Sequence, residues 1–136
     1  CMLPLITLIT GRQKNGLPTW VNKNCSNLPG TSLSGYRLAG LNFSKTDLFK
    51  TNLSKTDLSG SNLSQAYLRK ANLSGANLTK ANLKGAVLRE ADLSNAKLEG
   101  ADLRQAIFND KTILPFSTEE AIARGMIPES LRTLAV

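Results

Sequence analysis

Histidine is absent from this chain of 136 residues, which removes Ser–His and Cys–His nucleophile pairs and the commonest metal ligand. The two cysteines, Cys1 and Cys25, do not have the spacing of a paired metal site. No Gly-rich phosphate loop sits between a strand pattern and a helix pattern, and no nucleophile-elbow motif occurs. The chain is therefore read as non-enzymatic, with no catalytic residue, no cofactor and no metal. Long apolar runs are also missing. Met2 to Ile9 is too short to span a bilayer and has no basic leader, so neither a membrane span nor a secretory signal is expected there.

Acidic residues are scarce in the first two thirds of the chain. The formal net charge is +7, made up of +3 over residues 1–25, +6 over 26–85, −2 over 86–110 and zero over 111–136. The length fits one domain. Cys1 and Cys25 could brace the N-terminal segment as a disulfide or stay free. A single pair with one member at the terminus is a poor sign of an oxidising compartment, so the free form and a cytoplasmic location are preferred, with thylakoid lumen or periplasm as the alternative.

What the sequence does have is a phase lock. Leu or Phe occupies every fifth position from Leu28 to Phe108, seventeen units without a break. Two places before most centres stands a small residue, first hydroxylic (Thr46, Thr51, Thr56, Ser61) and then Ala from Ala66 to Ala106. One place before the centre, Asn or Asp dominates, as at Asn42, Asp47, Asn52, Asp57, Asn62, Asn72, Asn77, Asn82, Asp92 and Asp102. A period of five fits neither a helix nor a long strand. Three extended residues would point the first and third inward, and two more could turn a corner. Repeated turns of one hand give a solenoid whose rungs pair with one another and bury a column that no single repeat could bury alone.

Residues 26 to 110 resemble the pentapeptide-repeat family, whose consensus is Ala-[Asp/Asn]-Leu-x-x. The resemblance implies an all-β solenoid, a right-handed quadrilateral β-helix with four pentapeptides per twenty-residue coil. It implies no activity in itself. One known activity of the family is that of fluoroquinolone-resistance members, which resemble DNA in shape and negative potential and occupy the DNA site of gyrase. A basic chain opposes that role, because it repels an anion-binding saddle.

The breaks in the Asn/Asp column support the twenty-residue coil. Tyr67, Val87 and Ile107 are twenty apart and should stack on one face, whereas Arg37 and Lys97 share the opposite one. Tyr36 and Leu41 in the cramped position mark the first coil as a transition.

Residues 1–25 are read as an N-terminal cap or leader segment, in which Lys14-Asn15-Gly16 could turn, and residues 111–136 as a short α-helical C-terminal cap. Ser117-Thr118-Glu119-Glu120 reads as a capping box, Gly125 as a helix stop and Pro128 as the first residue of a second helix. Ile122, Met126, Ile127, Leu131 and Leu134 are expected to pack across the last coil. The stretch from Leu114 to Ile127 is also similar to the tails of cyanobacterial members of the family.

The candidate partner-binding face comprises Phe49, Tyr67, Val87 and Ile107, interleaved with Lys50, Arg69, Lys70 and Arg89. Apolar residues rimmed by charge mark contact sites, and Tyr with Arg is a common hot-spot pairing. Three readings stay open for this strip: an unknown protein partner, coverage by the chain's own termini, or no role. Binding of an acidic surface or nucleic acid through the basic residues is the alternative function, although these residues spread over several faces and the aromatic platform is thin. The regular Asn/Asp columns are read as bonding their own turns rather than holding metal.

Overall fold

The computed structural model describes residues 28–132. The cap expected over residues 1–25, the turn at Lys14-Asn15-Gly16, the pairing of Cys1 with Cys25 and the packing of Leu134 lie outside those residues.

From Ser32 onward, one residue of each pentapeptide forms a parallel bridge to the residue twenty further on, as in Asp47 with Tyr67, Tyr67 with Val87 and Asn72 with Asp92. Four five-residue sides per return make the coil square, and the fold is a right-handed quadrilateral β-helix. Two backbone bonds recur on each side. Leu48 N donates to Tyr67 O at 2.8 Å, and Tyr67 N donates to Thr46 O at 2.9 Å. Each coil thus closes the backbone groups that its neighbour would leave open.

Every regular corner from Gly30 to Gln105 has a residue of positive φ at its third position, as with Gly30 at 69°, Lys50 at 58° and Lys70 at 59°. A positive φ at that position alone is the mark of a type II turn. Many of these residues are not glycine, so the corners carry strain of about 1 kcal/mol or more each. The Asn/Asp column helps to offset it. All ten described Asn and Asp residues of the regular column accept the amide of the residue two places on, for example Asn62 Oδ1 from Ser64 N at 3.0 Å and Asp92 Oδ1 from Ser94 N at 2.9 Å.

The Leu centres fill the interior, and the small column packs beside them. Where that column is hydroxylic its oxygens are also used, since Thr51 Oγ1 donates to Leu28 O at 2.8 Å and Ser61 Oγ to Leu58 O at 2.7 Å. Tyr36 and Leu41 are only partly buried, consistent with a first coil that is a transition.

After Phe108 the register slips by one. Asp92 bridges Ile113 rather than residue 112, because the corner at Asn109 to Thr112 is one residue longer. Asn109 Oδ1 accepts from Glu90 N and Lys111 N, and Thr112 Oγ1 donates to Leu88 O at 2.8 Å. Ile113 consequently takes the outward position and is exposed, while Leu114 packs on the core.

Strand β1 (Ile107–Phe108) precedes helix α1 (Thr118–Ala123), strand β2 (Ile127–Pro128) and helix α2 (Glu129–Arg132). Ser117 caps α1 by accepting Glu120 N at 3.2 Å, while the Glu120 side chain turns instead to Arg124 at 2.6 Å. Gly125 ends the turn at φ 89°, and a Cβ there would meet Arg104 Cα at 3.2 Å, so a side chain has neither the dihedral nor the room.

Two expectations about this end need correction. Pro128 does not open a helix; it ends β2, which pairs in parallel with β1 through Ile107 and Ile127, and α2 starts at Glu129. The ladder captures this segment because Ile127 N donates to Ala106 O at 2.8 Å, and a strand end tolerates a residue without an N–H. Ile122 and Leu131 are exposed rather than packed, at 47% and 51% of their surface. Successive helical residues are rotated by about 100°, so α1 turns Ala121 inward, and Ala121 and Met126 are the buried residues. Among the described residues no helix is long and apolar enough to cross a membrane.

Candidate partner-binding face

The side of the coil that carries Asp47 continues through Tyr67, Val87, Ile107 and Ile127, each bridged to the next. Turn residues flank this column on both sides. Lys45, Gln65 and Gly85 form one margin, and Phe49, Arg69 and Arg89 form the other, enclosing with the column a shallow groove of about 860 Å³. Gly85 leaves that margin without a side chain, since its φ of 72° favours glycine and a Cβ would press on Gln65 Cγ at 3.3 Å.

Of the eight residues expected here, six line the groove: Phe49, Tyr67, Val87, Ile107, Arg69 and Arg89. Tyr67 is 54% exposed, and Phe49 and Val87 are half-buried. Ile107 holds an outward position of the column yet is buried, because β2 pairs alongside it and the C-terminal segment closes that end. Lys50 and Lys70 belong to the adjoining corner instead. Lys50 Nζ still reaches to 5.3 Å from the Phe49 ring centre, and the Arg69 guanidinium to 5.8 Å, so two cations flank one aromatic.

Counter-charges limit the positive field. Glu90 lies 3.6 Å from Lys70 and 3.9 Å from Arg69, and Glu129 Oε1 lies 2.7 Å from Arg89 Nε. The last contact is an ion pair without an aligned hydrogen bond, since the Arg89 Nε–H has no acceptor in line. Shifted carboxylates stand on other sides of the coil. The Arg104 side chain, bonded through Nε and Nη2, holds Asp102 at about 2, and the Ser59 hydroxyl followed by the Ser59 amide lowers Asp57.

The Pentapeptide repeats family matches this chain in eight copies, over residues 26–54, 46–85 and 71–110. The chain belongs to the pentapeptide repeat family. Its structure is similar to that of alr5209, a pentapeptide repeat protein from Nostoc Pcc 7120, with 28% identity over 92% of this chain and 93% of that one and a TM-score of 0.65. It is also similar to Rfr23 of the cyanobacterium Cyanothece 51142, at 35% identity over 64% of this chain and 63% of that one, with a TM-score of 0.43. A pentapeptide repeat protein of the Arabidopsis thaliana thylakoid lumen shares 25% identity over 79% of this chain and 81% of that one, with a TM-score of 0.30. No curated protein matches the sequence.

Several residues of this pentapeptide-repeat groove escape a search for breaks in the Asn/Asp column. Lys45, Gln65 and Gly85 are twenty apart and belong to the corner preceding the column, so coil arithmetic alone would have found them. Glu90 follows the same arithmetic, twenty beyond Lys70, whereas Glu129, forty beyond Arg89, comes after the intervening helix α1 and carries no such signal.

Proposed function

We propose that this pentapeptide repeat protein is a non-enzymatic interaction module that docks a protein partner on the Tyr67 face. The observation that carries the reading is Tyr67 itself, a large half-apolar side chain 54% exposed where the regular columns have an Asn or Asp bonded to its own corner. Exposed Tyr beside Arg69 supplies area at small entropic cost, and the flanking cations supply orientation. The side chains of the regular columns are occupied with their own turn amides and offer a partner less.

The test is affinity capture from the source cell at two salt concentrations, comparing the wild type with a Tyr67→Ser/Arg69→Ser double variant. The variant is expected to lose the partner while melting as the wild type does, since neither side chain belongs to the inward columns. An unchanged set of captured proteins would overturn the docking reading, and tight, strongly salt-dependent capture of DNA or RNA would replace it with nucleic-acid binding through the basic residues. Turnover abolished by a single polar substitution would overturn the non-enzymatic reading.

A further inference from the structure

One margin of the groove changes sign along its length. Phe49, Arg69 and Arg89 each stand two residues after a bridged residue of the column, and Glu129 stands in the same relation to Ile127. The intervening Asn109 does not interrupt them, because its carboxamide serves the long corner by accepting from Glu90 N and Lys111 N. Glu129 therefore meets Arg89 from two rungs away.

The contact is a provisional one. A guanidinium offers five N–H donors in a rigid fork suited to a carboxylate held face to face. Here Glu129 approaches Nε to 2.7 Å without giving that N–H an aligned acceptor. Its carrier, α2, is only four residues long, and a single turn does not stand by its own hydrogen bonds. The groove below Arg89 is richer in cations than in acids, with Lys45 and Arg69 against Asp47 at the far end. Glu90 is shared between Lys70 and Arg69, so with the adjoining corner counted, Lys45, Lys50, Arg69, Lys70 and Arg89 face Asp47, Glu90 and Glu129, and the surplus charge around the groove is positive.

We propose that Glu129 fills the groove's anion position from within the chain, and that the partner is an acidic peptide segment that displaces it, placing a carboxylate on Arg89 and an apolar side chain over Tyr67. The inference rests on the docking reading of the Tyr67 face and adds the chemistry of the occupant. An apolar floor of Tyr67 and Val87 beside the margin of Arg69 and Arg89 fits alternating acidic and apolar side chains. A phosphate backbone alone would leave that floor unused.

The test measures fluorescence anisotropy of a labelled alternating glutamate–tyrosine peptide with the full chain. Glu129→Gln should bind the probe about two- to fivefold more tightly, the range an exposed ion pair commands. Glu119→Gln, the same charge change on α1, is the control and should not. In an Arg89→Gln background the gain from Glu129→Gln should vanish, and Tyr67→Ser should weaken binding. Should Arg89→Gln fail to fold, Arg89→Lys serves instead, and the gain should shrink there.

Equal affinities for Glu129→Gln and Glu119→Gln, or a gain that persists without Arg89, would overturn self-occupation. If Tyr67→Ser still weakened binding in that case, the docking face would stand and only the role of Glu129 would fall. Failure of every variant to bind the peptide, or tighter binding of a mixed-sequence oligonucleotide, would overturn the acidic-peptide assignment.

Discussion

The Asn62 side and the Tyr67 side are neighbours on the same coil and stand on the same interior. Leu63 and Leu68 are both fully buried, and so are Ser61 and Ala66 before them. Outside, they part company. Asn42, Asn62, Asn82 and Asp102 each accept the amide two residues on, at 2.9 to 3.1 Å. Among the described residues of the Tyr67 side only Asp47 does so, from Phe49 N at 3.1 Å, and Tyr67, Val87 and Ile107 have no oxygen placed to accept it. Yet the corners after Tyr67 and Val87 keep the common shape, with φ of 59° at both Lys70 and Glu90. The ladder holds them, since Lys70 N donates to Arg89 O at 3.0 Å. The Asn/Asp bond therefore supports a corner without being required by it, which is why one side of the coil can give it up.

The shared interior is the first thing to break. Leu63→Ala and Leu68→Ala should each cost about 2 to 5 kcal/mol in urea unfolding, the range for deleting a buried leucine. A cost below about 1 kcal/mol at Leu68 alone would mean that the Tyr67 side is not built on the common core. A smaller effect separates the exteriors. Asn62→Ala should cost about 0.5 to 1.5 kcal/mol, because it removes the bond to Ser64 N at 3.0 Å. Tyr67→Ala should stay within about 0.5 kcal/mol, as substitutions on open surface do.

Tyr67→Asn sharpens the comparison because its expected sign is opposite. It restores the column residue, so an amide acceptor returns to the corner and should stabilise by up to about 1 kcal/mol, less what the strand loses with a Tyr. Partner capture should fall at the same time. A gain of stability with loss of binding is the ordinary trade at a functional site. Destabilisation by Tyr67→Asn together with unchanged capture would show Tyr67 to be a packing residue.

The five-residue phase made the coil, its interior and the stacking of Tyr67, Val87 and Ile107 legible, since each depends on spacing alone. Whatever depended on a change of spacing was hidden. Ile127 continues the Tyr67 column, but α1 and its loops stand between it and Ile107, and nothing in the residues announces that the chain returns after twenty positions. The slip at Ile113 was hidden for a related reason. Five places after Phe108 it looks like another centre, and only the longer corner, tied by Asn109 and Thr112, moves it outward. The burial of Ile107 and the pairing of Arg89 with Glu129 follow from that return of the chain.

The smallest expected effect concerns acid. Asp102, on the Asn62 side, accepts from Arg104 Nε at 2.9 Å and Nη2 at 2.7 Å, and these bonds bring its carboxyl from an ordinary 3.8 to about 2. The folded state thus holds the carboxylate more strongly than the unfolded chain does. That contribution is complete above the ordinary value and is lost as the pH falls through about 2, so stability should decline between roughly pH 4 and pH 2. Exposure to solvent keeps the contribution small. Asp102→Asn preserves an acceptor for Arg104 N but cannot titrate, and its melting temperature should fall less over that interval than the wild type's. Tyr67→Ser should match the wild type over the same interval, because it changes no carboxylate. Parallel declines for wild type and Asp102→Asn would show that the pair with Arg104 adds nothing to the fold, and the regular side would then differ from the Tyr67 side in its turn amides alone.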